Sequence, residues 1–144
     1  MPVTGPHVQI ATFCERALVE RDGVLSVIRA IDRLTVTAGG PNVPDEMPTG
    51  QRVSPTLVVA LRSDQAMGRH RVSIDAEQPD TTRLPTVHLD VMFEGQDRGV
   101  NLVLPMLLEA QEGLYWFNIK LDDDQLLSRV PLRIVYQRMP AISE

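Results

Sequence analysis

The chain has 144 residues, 43% hydrophobic and 23% charged, so one domain over 1–144 is expected, with a core large enough to need no covalent staples. Its net charge of −5 comes from 19 acidic and 14 basic residues spread along the sequence; it offers phosphates no concentrated cationic surface, which argues against nucleic acid as a partner. The single cysteine, Cys14, excludes an intrachain disulfide and a cysteine-rich zinc site, and no stretch approaches the roughly 18–20 apolar residues that cross a bilayer.

Met1 to His7 shows neither a basic start nor an apolar run, so no targeting segment is expected and the compartment is read as cytoplasmic. Thirteen of the 14 basic residues are arginine, with Lys120 the only lysine. That bias fits a GC-rich bacterial genome and marks no site.

Side chains alternate faces along a strand, and period two dominates here. His7 to Phe13 and Val24 to Ile31 read as strands joined through Asp22-Gly23, a strong hairpin signal. Ala38 to Pro55 then breaks the rhythm with four prolines and three glycines. This long loop is either a crossover between sheets or a binding element. Leu57, Val59 and Leu61 alternate before a polar turn at Ser63-Asp64-Gln65, and Val72 and Ile74 alternate after it. Val87, Leu89, Val91 and Phe93 share one face, as do Val100, Leu102 and Leu104; the polar run Glu94 to Gly99 predicts a hairpin between them. Met106 to Glu112 could supply one helical turn but is too short for a helix by itself. A last hairpin pairs Tyr115, Phe117, Ile119 and Leu121 with Val130, Leu132, Ile134 and Tyr136 across Asp122-Asp123-Asp124. The count is about eight strands with at most one short helix: an all-β, antiparallel, immunoglobulin-like sandwich.

Constellations with chemistry are few. Asp122, Asp123 and Asp124 suit calcium, which takes several oxygen ligands, yet a second acidic loop is missing and a solvated turn is preferred. His7, His70 and His88 are scattered and show no metal-ligand spacing. Cys14 lacks the setting of a nucleophile and reads as a buried structural thiol. The chain has neither Gly-x-Ser-x-Gly nor a glycine-rich phosphate loop. Arg62, Arg69, His70 and Arg71 bracket a proposed turn, where solvated charges are the ordinary reading. Trp116 and Leu114 fall on the face opposite Tyr115 and Phe117. With Leu127 and Val135 on the next strand they form either an interface hot spot or a patch covered by the loop at 38–55.

Gly113-Leu114-Tyr115-Trp116-Phe117 resembles the Gly-x-Tyr-x-Cys strand of immunoglobulin-like domains, with Phe117 at the place of the cysteine. The resemblance implies a tyrosine corner at Tyr115 and a disulfide-free sandwich. The chain also resembles an uncharacterised bacterial family of β-sandwich proteins of unknown function. The shared features are Phe13-Cys14-Glu15, Gly23 to Ile28, the Pro-rich stretch Pro41 to Pro55 and the strand Val130 to Ile134. It implies a fold and transfers no site. The functional expectation is a non-catalytic protein-binding or assembly module, self-association included, with no cofactor, nucleic acid or membrane as partner. The alternative is a small-ligand or calcium-binding sandwich, and an enzyme of unfamiliar mechanism ranks third.

Overall fold

The computed structural model describes residues 5–140; residues 1–4, part of the segment read above for a targeting signal, and 141–144 lie outside it. Nine strands follow in order: β1 (His7–Val19), β2 (Leu25–Ile31), β3 (Arg33–Gly40), β4 (Arg52–Val53), β5 (Thr56–Glu77), β6 (Val87–Pro105), β7 (Leu108–Glu109), β8 (Gly113–Leu121) and β9 (Gln125–Pro140). The fold is an all-β, mostly antiparallel, immunoglobulin-like sandwich, built around a ribbon that bends double.

β6 pairs with β5 along one edge, from Thr56↔Pro105 to Ile74↔Val87. The opposite edge of β5 is shared: β1 takes Thr56–Arg62 and β8 takes Val72–Glu77. Phe13 of β1 nevertheless meets Phe117 of β8 with ring centroids 4.8 Å apart, so the ribbon folds back on itself. One sheet is β2-β1-β5-β6; the other is β6-β5-β8-β9-β3. The core fills the space between them with Leu57, Val59, Leu61, Val72, Ile74, Phe93, Tyr115, Ile119, Leu132 and Ile134.

Three expectations give way here. Neither Ser63-Asp64-Gln65 nor Glu94 to Gly99 is a turn, because β5 and β6 each run through their polar segment. The segments lie opposite one another as bulges, with register shifts at Asp64 and left-handed backbone at Asp64 (φ 50°), Gly68 (85°), Gly95 (85°) and Gln96 (56°). Turn and bulge need the same permissive residues, which is why the pattern misled. Glycine suits position 95 because its φ of 85° is strained for any residue with a Cβ. Residues 106–112 form no helix; Leu108–Glu109 pair with Arg52–Val53 instead. Pairing is not wholly antiparallel either, because β3 runs parallel to β9 from Arg33↔Arg133 to Gly40↔Pro140. β2 and β3 meet at Asp32 and lie in different sheets, and this switch sets the direction of β3.

The other hairpins form where expected. Gly23, at φ 83°, donates to Glu20 O in the β1–β2 turn, and Asp122 and Asp123 take φ values of 51° and 67° between β8 and β9. The irregular stretch after β3 crosses from the larger sheet to the smaller and caps one end of the sandwich: Tyr136 donates to Pro44 O, Arg138 to Val43 O, and Ala110 N to Gln51 O.

Tyr115 is fully buried; its hydroxyl donates to Glu109 O at 3.1 Å and accepts from Gln111 N at 2.8 Å. This is the tyrosine corner expected from the Gly-x-Tyr resemblance. Cys14 is buried on the face away from Phe13, and burial pushes its thiol pKa up, against a smaller lowering from the backbone at Arg16. Replacing Tyr115 by Phe keeps the ring and strands both corner hydrogen bonds; a loss of about 1–3 kcal/mol in denaturant unfolding is expected, with an unchanged m-value.

Candidate functional site

Chemistry-bearing side chains gather on the outer face of the larger sheet. Alternation sends Tyr115, Phe117 and Ile119 inward and Leu114, Trp116, Asn118 and Lys120 outward. Register then sets their neighbours: Trp116 lies between Glu77 and Pro131, Asn118 between Asp75 and Arg129, and Lys120 beside Ser73. Ser73 in turn has His88 on its β6 side.

Asp75 is the anchor of this face. It is 8% exposed and accepts from Asn118 Nδ2 at 2.8 Å, while Lys120 Nζ and Arg83 Nη1 each approach to 3.2 Å. Burial pushes its carboxyl pKa up, yet hydrogen bonds from Asn118 and Lys120 and the charges of Lys120 and Arg83 bring it net below the usual range. The network continues outward. Asn118 Oδ1 accepts from Arg129 Nε at 3.0 Å, and the Arg129 guanidinium sits 4.4 Å from the Trp116 ring centroid. A buried carboxylate thus fixes, through one amide, a cation over an aromatic face.

Ser73, also buried, donates to Asp123 Oδ1 at 2.8 Å and lies 3.0 Å from His88 Nδ1. The serine bridges the acid and the imidazole. A nucleophile would need the imidazole between serine and acid, so this order locks side chains and activates nothing.

Among the proposed interface residues, Trp116, Leu114 and Val135 share the outer face, all half-buried. Leu127 does not join them. It sits at the register shift between Ile119 and Lys120 and packs against the core. The bulge that moves it leaves no mark in local alternation. Pro131, not Leu127, lies opposite Trp116. The loop at 38–55 bonds to the sandwich end and not to Trp116, so the two candidate regions are separate.

The aspartate run and the arginine-histidine group converge. His70 Nδ1 lies 2.7 Å from Asp122 Oδ2 and its Nε2 3.0 Å from Met67 O, while Arg71 N donates to Asp122 Oδ1 at 3.0 Å. Two acceptors face the two ring nitrogens, and only the imidazolium donates to both. The Asp122 bond accordingly raises the His70 pKa, opposed by burial and aided by Met67 O; the Arg71 amide and His70 lower that of Asp122. Asp122 and Asp123 therefore bond their own chain, and among the described residues no three His, Cys, Asp or Glu side chains gather to hold a metal ion. His7 bonds to Asp64 at 2.9 Å.

These observations define the class: a disulfide-free immunoglobulin-like sandwich with a tyrosine corner and a polar, arginine-rich outer face. The chain belongs to a family of unknown function, DUF6941, whose model matches residues 9–135. An immunoglobulin-like protein from Pseudomonas aeruginosa is similar over 90% of this chain and 96% of its own, at 10% identity and a TM-score of 0.41; the fold assignment rests on the sheets and corner described above. No curated protein matches the chain. No helix among the described residues is long and apolar enough to cross a membrane.

The pH dependence follows from the His70–Asp122 pair. His70 has a raised folded pKa, so its contribution is complete below about 6.5 and fades as pH rises through the folded value. Asp122 has a lowered one, so its contribution is complete above about 3.9 and is lost as pH falls through the folded value. Melting of wild type and His70→Gln should therefore differ most between about pH 4 and 6.5 and converge above neutrality; a difference that grows with pH would contradict the pairing.

Proposed function

We propose that the chain is a non-catalytic protein-binding module, working through the outer face of the larger sheet. The observation that supports this reading is Trp116, half-buried beneath Arg129 and bordered by Leu114 and Pro131, with Val135 farther along the same face of β9. Tryptophan and arginine are both enriched among hot-spot residues, and here the arginine is held in place before any partner arrives, which lowers the ordering cost of binding. Arg133 lies opposite Leu114, and Arg33 lies beside Arg133 on β3. The face therefore suits a protein partner that brings acidic side chains around an apolar contact, and not nucleic acid or a membrane. The cytoplasm is the proposed compartment, in keeping with a core that uses no disulfide.

The test is affinity capture from the native host with wild type and with Trp116→Ala, alongside thermal melting. A partner retained by wild type and lost by the variant, with the melting temperature shifted by only a few degrees, is the expected result. Equal capture by both proteins, or collapse of the variant fold, would remove the reading.

A further inference from the structure

We propose that the chain also self-associates, by pairing Val100–Leu104 of β6 with the same stretch of a second copy across a twofold axis. β6 is hydrogen-bonded to β5 on one side only, so its other edge is unpaired among the described residues. Such an edge is a template for another strand unless charge, proline or a bulge blunts it.

The N-terminal half of β6 is blunted by His88, Asp90 and Glu94, and the bend adds Asp97 and Arg98. The other edges carry charge as well: Arg29 on β2, ion-paired to Glu15 at 2.9 Å, and Arg33 on β3. From Gly99 to Pro105 there is no charge at all, and Val100 to Leu104 are all half-buried. Leu107, 64% exposed, prolongs the apolar border beyond Pro105.

The stretch complements itself, which points to a second copy as its occupant. An antiparallel twofold axis through Leu102 sets Val100 opposite Leu104 of the copy, and Leu102 opposite its own counterpart, all on the core-facing side. On the outer side Asn101 meets Val103 of the copy. No like charges face each other, and the two smaller sheets fuse into one continuous sheet across the axis.

Light scattering on size-exclusion eluates of the whole chain, over a concentration series, should show a dimer. Asn101→Glu with Val103→Glu places like charges opposite at both outer pairs and should weaken the dimer by roughly tenfold or more. Asn101→Lys with Val103→Glu places opposite charges there and should retain it. Both double variants lose the same two side chains, so a folding defect would strike both and show in melting. Amides of Val100–Leu104 in wild type should gain exchange protection as concentration rises, which reads the edge without any substitution. A monomeric wild type, equal behaviour of two folded double variants, or protection independent of concentration would overturn the proposal. Trp116→Ala should remain dimeric; its dissociation into folded monomers would assign self-association to the tryptophan face instead.

Discussion

The sandwich depends on an edge-to-face contact between Phe13 and Phe117, with Tyr115 stacked beside Phe117 at 6.2 Å. Phe13 comes from β1 of the smaller sheet and Phe117 and Tyr115 from β8 of the larger, so this cluster does what an inter-sheet disulfide does in secreted immunoglobulin domains. Burial of each ring contributes about 1.5–3 kcal/mol, and the aromatic pair about 0.5–1.5 more. A bridge of that kind persists only in an oxidising compartment, whereas packed rings hold in either. The one cysteine points away from this cluster, to the other side of β1.

Around that contact the β5–β6 ribbon supplies the frame. Its two strands enter both sheets, so the sheets are joined by continuous backbone as well as by loops. Facing bulges at Asp64 and Gln96 make the bend, and His7 bonded to Asp64 ties the start of β1 to it. Both faces of β5 are buried on either side of the bend. In the smaller sheet the tip of the β1–β2 hairpin helps cover its outer face, Asn101 Nδ2 donating to Gly23 O at 3.4 Å. In the larger sheet polar side chains do the covering, and Ser73 and Asp75 are bonded beneath them. A buried carboxylate is tolerated there because an amide and two cations satisfy it; without them its desolvation would exceed the gain.

The two outer faces are thus covered in different ways. The smaller sheet is closed above and open at its edge. The larger sheet is open above, with its polar groups tied to one another in a chain from Asp75 to Asn118, Arg129 and Trp116. Each member of this chain is satisfied by its neighbour, and the Arg129 guanidinium is held over the Trp116 ring.

The sequence by itself determined whatever depends on alternation and turn chemistry: the buried faces of β8 and β9, the hairpins at Asp22-Gly23 and Asp122-Asp123, the inward Tyr115 and the outward Trp116. These are local rules of backbone geometry, and they hold wherever the strand is placed. Tertiary structure alone decided the rest. It made bulges of two polar segments that read as turns, set β3 parallel to β9, moved Leu127 off the Trp116 face and brought His70 to Asp122. It also buried Asp75 among Lys120, Arg83 and Asn118, residues drawn from separate parts of the chain. Each of these outcomes depends on which strands become neighbours and in what register. Pairing energy is spread over backbone groups that every residue carries alike, so the sequence encodes it only through the packing of the whole.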